Sequence, residues 1–435
     1  MIRITRRQAI GTMTAAAAVA AGFGRRAAAE NAAGSASIDQ ALREAVQAKR
    51  VPGVVALAGN AAGPIYAGAF GVRNVAQPQD MTLDTVFWIA SMTKAVTTTA
   101  AMQMVEQGKL QLDQPAGEVI DELKAPQVLE GFDASGAPQL RPAKRPVTLR
   151  QLLTHTAGFT YDIWDANTGR YEKAENLPGI ITCKNDALKT PLAFDPGDRW
   201  DYGINIDFAG KMVERVSGQR LEEYFREHIF GPLGMTDTSF KISPSQRARL
   251  VAMHARQADG GLKPIDFEMT QDPEFQMGGG GLYSTGPDYL KFVRMFLNRG
   301  SLDGAQVLRR ETVALMEQNQ IGDLNVTVLK TVAPESSLDA EFFPGMVKKW
   351  GLGFMINTQE APTGRSAGSL AWAGLANTYF WIDPNKDVGG VILMQLLPFA
   401  DPQALQTFAD FESSAYKVAA ASPAAGSSTP PKQAK

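Results

Sequence analysis

The sequence predicts an α/β protein of the α+β type, in which one antiparallel sheet is built from both ends of the chain. Short segments rich in Val, Ile, Tyr, Phe and Trp lie near both termini and are typical of strands. The region between them, from about residue 91 to about residue 345, is mostly helical and rich in loops. The chain has 435 residues, of which 44% are hydrophobic, so it can bury one large core or two joined subdomains.

Five strands are predicted, two before the helical region and three after it. Their predicted bounds are Val54–Asn60, Pro64–Val72, Trp350–Asn357, Leu370–Ile382 and Gly389–Leu396. The first two flank a turn at Gly63-Pro64, and the last two are joined by a turn at 384–387, since Gly, Pro, Asn and Asp favour turns. A closing helix is predicted from about Pro402 to Ala420.

The first 29 residues are predicted to be a signal peptide. Twin arginines, Arg6 and Arg7, precede a mildly apolar Ala/Gly-rich run at 9–23, and the alanines at 27–29 offer a cleavage site. Twin arginines address a protein to the Tat route, and a second pair at 25–26 disfavours the Sec route. The expected partner of the precursor is therefore the Tat export machinery, and the expected location is periplasmic or secreted, in a bacterium. The alternative is a disordered basic N-terminus.

The composition excludes several classes of function. The net charge is −2, which gives no electrostatic basis for binding nucleic acid or an anionic membrane. The apolar N-terminal run is too short to span a bilayer, so no stable membrane anchor is expected. Cys183 is the only cysteine, so no intramolecular disulfide can form, and no cysteine/histidine cluster indicates zinc. We expect no cofactor. Residues 422–435, rich in Pro, Ser, Ala and Lys, are predicted to form a disordered tail.

A serine and a lysine three residues apart are the strongest candidates for chemistry. Ser91 and Lys94, in the tetrad S-M-T-K, lie at the predicted start of a helix whose run at 95–107 ends at Gly108. Because residues i and i+3 share a helix face, the lysine amine can sit beside the serine hydroxyl and act as its base. The helix N-terminus offers free N–H groups where an oxyanion would form. The alternative is a capping serine followed by a solvated lysine.

Two further motifs favour the catalytic interpretation. Tyr202 follows a Pro196-Gly197 turn and precedes an amphipathic helix predicted at 206–216, where its phenol can face a cleft. Trp372-Ala373-Gly374 lies in a predicted strand, and its small residues let a substrate approach the backbone closely. The alternatives are a half-buried surface tyrosine and an ordinary core tryptophan beside a packing glycine.

In their order and separation these motifs resemble those of the serine β-lactamase and penicillin-binding superfamily. The resemblance is greatest to its esterase branch, the family VIII carboxylesterases, and to related acyltransferases. It extends over about residues 38–419, with supporting segments at 149–158 (LRQLLTHTAG), 278–285 (GGGGLYST) and 372–384.

The resemblance implies a fold and an active site. The fold is a five-stranded sheet flanked by helices, with a discontinuous α/β part at about 38–90 and 346–419 and a mostly helical part at about 91–345. The active site is expected at their boundary.

A role for each site residue follows from the motifs and the resemblance. Ser91 is the nucleophile, and Lys94, neutral or sharing a proton with Tyr202, takes its proton. Tyr202 passes a proton to the leaving alcohol. The oxyanion is held by the backbone N–H of Ser91 and, by the resemblance, that of Leu375. The residues expected to contact substrate are Trp372, Gly374 and Ile204.

Two departures from the superfamily pattern favour a neutral ester over a β-lactam. Members that act on β-lactams usually carry Tyr-x-Asn, whereas here Ile204 takes the third position and Asn205 falls one residue late. They also carry Lys-Thr-Gly or a close variant on the last strand, where this chain has Trp372. A substrate carboxylate would therefore lose its charge-assisted partner.

Two other motifs compete for a catalytic role. Residues 364–368, Gly-Arg-Ser-Ala-Gly, fit the G-x-S-x-G elbow of α/β-hydrolases, with Ser366 as nucleophile. All three histidines precede Ser366, however, and the segment leads into a predicted strand rather than a helix. His155 lies in a Thr/Gly-rich turn and is interpreted as a structural residue that holds its loop.

The sequence thus predicts an exported serine hydrolase of the carboxylesterase type that cleaves small neutral esters through an acyl-serine intermediate. If an alcohol enters instead of water, the same enzyme is an acyltransferase. Two competing functions stay open at the level of the sequence. One is a β-lactamase or D-alanyl-D-alanine carboxypeptidase, and the second, from another class, is a non-catalytic penicillin-sensor-like binding module.

Overall fold

The computed structural model describes residues 34–421, which contain a seven-stranded antiparallel sheet. Across the sheet, the strands are Lys348–Trp350, Met355–Asn357, Leu370–Gly374, Thr378–Asp383, Val388–Leu393, Gly53–Gly59 and Pro64–Gly71. The N-terminal hairpin joins the C-terminal strands where Val55 lies opposite Leu393. The prediction of one antiparallel sheet built from both ends of the chain is therefore confirmed.

The predicted number of five strands is wrong because two predicted strands are hairpins. The segment predicted at Trp350–Asn357 turns back around Gly353, whose φ of +84° lies in the left-handed region that favours glycine. The segment predicted at Leu370–Ile382 turns back before Asn377, which has a φ of +56°. The second turn is flanked by apolar residues, so that hairpin has the composition of one long strand. In the first hairpin, the strand Lys348–Trp350 begins with two lysines and lies mostly before the predicted segment.

Two helices cover opposite faces of the sheet. Phe380 packs on Tyr289 of the Gly286–Leu297 helix, with ring centroids 5.2 Å apart. Its chain neighbour Tyr379 stacks on Phe408 of the Pro402–Ala421 helix at 4.7 Å. Successive strand residues point to opposite faces, so the sheet is the middle of three layers. This double burial explains why the strand Thr378–Asp383 is buried at every position and apolar at its four central positions.

The remaining elements lie mostly in the middle of the chain. The other helices are 34–47, Thr93–Glu106, Leu149–Leu153, Ala166–Ala174, Asn205–Ser217, Leu221–Phe225, Gly231–Leu233, Pro244–Arg247 and Arg310–Met316, with a π turn at Arg226–Phe230 and 3₁₀ turns at Ala90–Met92, Ala116–Glu118, Asp121–Leu123, Ile180–Thr182 and Asn185–Lys189. Short strands form four small sheets, which pair Phe87–Trp88 with Tyr283–Ser284, Gln127–Phe132 with Pro138–Pro142, Ser301–Leu302 with Ala305–Gln306, and Met253–Arg256 with Leu262–Ile265 and Leu396–Leu397.

The helix Thr93–Glu106, here called the central helix, is buried on nearly all sides. It therefore lacks the apolar stripe of a surface helix, and three of its four buried threonines donate to backbone carbonyls, as Thr99 does to Ala95 at 2.9 Å. It ends just before Gly108, whose φ of +71° supports the prediction of a helix stop there. The predicted helices at 206–216 and 402–420 are also present.

Some predictions concern residues that the structure does not describe. The signal peptide at 1–29 and the tail at 422–435 both lie outside residues 34–421. Within that range, no helix is both long enough and apolar enough to cross a membrane. The division of the chain at about residues 90 and 345 stays a prediction.

Candidate active site

Ser91 lies in a strained turn at the start of the central helix. The turn, Ala90–Met92, begins with Ala90 at a φ of +45°, a conformation that is uncommon for a residue with a Cβ atom. The Ala90 carbonyl accepts a hydrogen bond from the Thr93 hydroxyl at 2.6 Å, and the Met92 carbonyl accepts one from Tyr289 at 2.9 Å. These bonds hold the strained turn, and such strain is a recurring property of functional sites.

The Lys94 amine lies directly behind the Ser91 hydroxyl. Its Nζ atom is 3.1 Å from Ser91 Oγ, 2.9 Å from Tyr161 Oη and 2.6 Å from the Gly279 carbonyl oxygen. The carbonyl can only accept, so it takes one N–H. A neutral amine then has one N–H and one lone pair for the two hydroxyls. The arrangement therefore allows Lys94 to accept the Ser91 proton.

Burial allows the Lys94 amine to be neutral near physiological pH. Lys94 is 1% exposed, and burial lowers the pKa of its amine from the ordinary 10.5 to about 7, against the opposing effect of the Asp207 carboxylate. The amine also lies over the Tyr202 ring, 4.7 Å from its centroid, which stabilises the protonated form. Lys94 can thus take up and release a proton near pH 7.

Tyr202 is held at the site by Trp372. The indole Nε1–H of Trp372 donates to the Tyr202 hydroxyl oxygen at 2.9 Å. Burial raises the pKa of the Tyr202 phenol, and hydrogen bonding with Ser91 and Trp372 only partly offsets that rise. The phenol therefore keeps its proton and is suited to donate it. Gly203 allows this placement, because a Cβ atom there would lie 2.1 Å from the Phe159 carbonyl oxygen.

Gly374 brings the end of its strand against the Ser91 turn. A Cβ atom at Gly374 would lie 2.3 Å from the carbonyl oxygen of Ile89, two residues before Ser91. Thr378 donates its hydroxyl to that carbonyl at 3.3 Å, which fixes the approach. Leu375 and Ser91 consequently line the same cavity. This is the placement that an oxyanion site built from their backbone N–H groups requires.

The predicted segment at 278–285 supports the site through its backbone. The carbonyls of three consecutive glycines accept hydrogen bonds from Thr97 at 2.6 Å, Lys94 at 2.6 Å and Trp88 at 2.7 Å. A side chain at Gly279 would prevent the backbone from lying here, since its Cβ atom would be 2.4 Å from an Asp207 oxygen. Hydrogen bonds from the side chains of Thr97 and Lys94 therefore hold the backbone of the glycine run against the central helix.

The cavity in front of Ser91 has a volume of about 260 Å³ and is mainly apolar. Its walls include Trp88, Ile163, Trp164, Ile180, Ile181, Leu329, Trp372 and Phe399. Among the described lining residues, Asp162 is the only Asp, Glu, Lys or Arg. Burial raises the pKa of this carboxyl, as it does for a carboxylate with few compensating partners. Within residues 34–421 no group of three His, Cys, Asp or Glu side chains could hold a metal.

Most of the predicted site residues meet at this cavity. Ser91, Tyr202, Trp372, Gly374 and Leu375 line it, with Lys94 behind Ser91. Trp372 has a second role that the sequence did not reveal, the hydrogen bond to Tyr202.

Ile204 is the exception among the predicted contact residues. It is buried and does not line the cavity in front of Ser91, so the substrate contact expected there stays a prediction without support from this cavity. The chain turns into the Asn205–Ser217 helix at this point, which directs the side chain into the core. The Asn205 amide also turns inward, 3.0 Å from His155 Nδ1 and 3.1 Å from the Phe159 carbonyl oxygen.

His155 has the structural role that the sequence predicted. It is fully buried, has a φ of +57°, and its backbone carbonyl accepts from Asp201 N–H at 2.9 Å. Burial and the nearby Lys94 lower the pKa of His155 well below its ordinary value, so the ring is neutral. Its ring packs 4.6 Å from that of Tyr202, and it does not line the cavity.

Two residues at the site were missed by the sequence analysis. Tyr161 contacts the Lys94 amine and lies three residues beyond the recognised segment 149–158. Asp207 is a buried carboxylate near Lys94, in the first turn of a helix. Acidic residues are common at that position for dipole reasons alone, which hid its proximity to the lysine. The signal available in the sequence was an acidic residue between the apolar residues Ile206 and Phe208.

Comparisons with known proteins agree with this geometry. The family model described as Beta-lactamase matches residues 38–413. Monacolin J acid methylbutanoyltransferase from Aspergillus terreus is 33% identical over 400 residues, covering 87% of this chain and 95% of the relative. Lovastatin esterase from Penicillium rubens is 33% identical over 377 residues, covering 82% and 92%.

A solved structure extends the agreement to three dimensions. A mutant form of simvastatin synthase (LovD) from Aspergillus terreus superposes with a TM-score of 0.76 at 33% identity, covering 87% of this chain and 96% of that one. The family match and the shared fold extend over nearly all of the described residues. The chain therefore belongs to the beta-lactamase family, among the serine hydrolases and acyltransferases that share this fold.

Proposed function

We propose that this protein transfers the acyl group of small neutral carboxylic esters through an acyl-Ser91 intermediate, with water as the usual acceptor. The observation that carries the proposal is the Lys94 amine, 3.1 Å from Ser91 Oγ and with a pKa lowered to about 7. A serine hydroxyl is a weak nucleophile unless a base adjoins it, and this amine is such a base.

The reaction begins with proton transfer from Ser91 to Lys94. As Ser91 Oγ attacks the ester carbonyl carbon, its proton moves to Nζ and the carbonyl oxygen becomes an oxyanion. The backbone N–H groups of Ser91 and Leu375 stabilise that oxyanion. When the intermediate collapses, Tyr202 protonates the leaving alcohol and is itself reprotonated from the Lys94 ammonium.

The second half of the reaction returns the enzyme to its starting state. Lys94, again neutral, takes a proton from a water molecule as that water attacks the acyl-Ser91 carbonyl. When this second intermediate collapses, Ser91 Oγ leaves and takes the proton back from the Lys94 ammonium, and the acid is released. An alcohol bound in the same place gives transesterification by the same steps. The relatives described above include both an acyltransferase and an esterase, which supports either acceptor.

The charges around the cavity support a neutral substrate. Within the described part of the chain, no Lys or Arg lines it, and the Asp162 carboxylate would repel a second carboxylate. Trp372, on the strand Leu370–Gly374, offers an apolar surface instead of a cation. Acyl groups of C2 to C6 acids fit the proposal, and longer chains should react more slowly as the cavity fills.

A substrate panel tests the proposal. The purified mature protein is assayed with p-nitrophenyl acetate, butyrate and hexanoate, with nitrocefin, and with a D-Ala-D-Ala peptide, with and without an added alcohol. Ser91→Ala is the control for background hydrolysis. Ester turnover lost in the control supports the proposal, whereas peptide or nitrocefin turnover alone assigns the chain to the penicillin-processing enzymes. No turnover, with penicillin binding, assigns it to the sensor-like binding modules.

We also propose export of the precursor through the Tat route, on the strength of Arg6, Arg7 and the alanine-rich run that follows. Replacement of both arginines by lysine should leave the precursor in the cytoplasm of a bacterial host. Export of the twin-lysine precursor in a strain without the Tat machinery would contradict this.

A further inference from the structure

Asp207 is a buried carboxylate that the mechanism above does not use. It is 1% exposed and lies in the first turn of the Asn205–Ser217 helix, which packs beside the central helix. Its Oδ1 atom accepts the Gly279 N–H at 2.8 Å, and its Oδ2 atom has no hydrogen-bond partner among the described residues. A buried carboxylate with one oxygen unsatisfied is destabilising, so a role for its charge is expected.

Gly279 connects this carboxylate to the lysine. Its N–H donates to Asp207, and its carbonyl oxygen accepts a hydrogen bond from Lys94 Nζ at 2.6 Å. The absence of a side chain is necessary, because a Cβ atom would lie 2.4 Å from Asp207 Oδ2. The carboxylate therefore fixes the one residue whose carbonyl holds the amine towards Ser91.

We propose that Asp207 is a positioning residue, which holds the Gly279 carbonyl against the Lys94 amine and uses its negative charge to set how readily that amine keeps a proton. This inference rests on the proposed role of Lys94 as the base for Ser91. Asp207 does not touch the reacting atoms and acts through Gly279 and through its electric field.

Near pH 7, Asp207 and Lys94 are the charged pair of this cluster, because burial raises the pKa of Asp207 only to about 6, against the opposing effect of Lys94. The other titratable groups that interact with either of them are Tyr161, Tyr202, His155 and Cys183. Each is neutral near pH 7, because burial raises the pKa of both phenols and of the thiol and lowers the pKa of the imidazole. The field of Asp207 at the amine is thus balanced by no other ionised group of this cluster.

The sign of the effect follows from this pair. An anion beside Lys94 stabilises its ammonium form and raises the pKa of the amine. Asp207→Asn removes the charge and keeps an oxygen that can accept the Gly279 N–H. The amine should then lose its proton at lower pH. The pH below which Ser91 loses reactivity should move down by about one unit or more.

The test uses the rate at which a fluorophosphonate labels Ser91, measured from pH 5 to 9 by mass spectrometry of the intact protein. In the wild type, we expect the rate to fall below a midpoint near the pKa of Lys94, about 7. In Asp207→Asn, we expect that midpoint to lie at lower pH. Asp288→Asn is the matched control, because Asp288 is another buried carboxylate, bonded to Thr238 and Lys291 rather than near Lys94.

The outcomes separate this inference from the proposed function. A wild-type protein that is not labelled at Ser91 at any pH would overturn the proposed function and this inference with it. Normal wild-type labelling, with the same midpoint in Asp207→Asn, would overturn the inference alone. If Asp207→Asn does not fold, Gly279→Ala tests the same link, because its Cβ atom displaces the carboxylate. We expect its limiting labelling rate to fall about tenfold, equivalent to one lost hydrogen bond, and an unchanged rate would overturn the inference.

Discussion

Ser91 and Ser366 both lie in segments with the appearance of nucleophile motifs, and the structure gives them opposite surroundings. Ser91 opens onto an apolar cavity and has an amine 3.1 Å from its hydroxyl. Ser366 lies in a loop outside that cavity, where its N–H donates to Asp383 at 2.8 Å and its carbonyl accepts from Asn357 at 2.7 Å. The first serine has an amine within hydrogen-bonding distance that can serve as its base, whereas the contacts of the second hold its loop in place.

The G-x-S-x-G segment has a structural purpose of its own. Arg365 and Glu412 form an ion pair, 2.6 Å between nitrogen and oxygen, with side chains only 2% and 1% exposed. It ties the loop to the Pro402–Ala421 helix, and Gly364 has a φ of +101° with the Tyr416 ring only 3.2 Å from where its Cβ atom would be. The glycines of this motif therefore serve a turn and a helix contact. A spacing of residues predicts a nucleophile only when a base accompanies it.

The largest expected difference between the two regions is in activity. Ser91→Ala should lower kcat/KM for p-nitrophenyl butyrate about 10³-fold or more, since the nucleophile is lost, whereas Ser366→Ala should retain most of it. After treatment with a fluorophosphonate, peptide mass spectrometry should find the label on Ser91. A label on Ser366 instead would mean that Ser366, and not Ser91, is the nucleophile.

A change in the loop that contains Ser366 should lower the stability of the fold and leave the activity unchanged. Glu412→Gln leaves the Arg365 guanidinium buried without a carboxylate and should destabilise the fold by about 3 kcal/mol in urea titrations. The esterase kcat of the folded fraction should be unchanged. Asp339→Asn is the control, because it breaks the exposed pair with Lys330 and should have little effect. Equal losses in the two variants would mean that the buried pair does not hold the loop.

The partners of Ser91 should account for its reactivity. Lys94→Ala and Tyr202→Phe should each lower kcat about 10²-fold or more, as expected for removal of a general acid–base group. In the wild type, kcat/KM should rise with pH through about 7, because Lys94 must lose a proton before it can accept one from Ser91. Near-normal turnover in either variant would mean that another group is the base.

The charge of the substrate should also affect the rate of reaction at Ser91. We expect kcat/KM for p-nitrophenyl esters of C2 to C6 acids to exceed that for nitrocefin or benzylpenicillin about 10²-fold or more, since a desolvated carboxylate without a partner costs several kcal/mol. In Asp162→Asn, the ratio of kcat/KM for the esters to kcat/KM for the β-lactams should fall, because the variant removes the carboxylate that lines the cavity. Equal or faster hydrolysis of the β-lactams by the wild type would overturn the assignment to neutral esters.

The sequence was informative wherever one residue type could satisfy a local requirement. The antiparallel sheet, the helix stop at Gly108 and the loop role of His155 were all predictable from such signals. The two extra hairpins were not, because apolar turns resemble strands in composition.

The cluster around Lys94 was predictable only in part. Ser91 and Lys94 are near neighbours in sequence, whereas Tyr161, Asp207 and Gly279 reach the amine from three separate segments. No local spacing records such a meeting. The position of Ile204 away from the cavity was not predictable for the same reason, since a turn of the following helix decides where that side chain points.

The pairing of Val55 with Leu393 has a consequence for when the protein becomes active during synthesis. The first hairpin leaves the ribosome early and must wait for almost the whole chain before its partner strand exists. Closing so long a loop is entropically unfavourable and slows folding. The Ser91 turn rests on the strand that ends at Gly374, so it too is completed late. We therefore expect nascent chains that end before the strand Val388–Leu393 to carry every catalytic residue and yet to show no esterase activity.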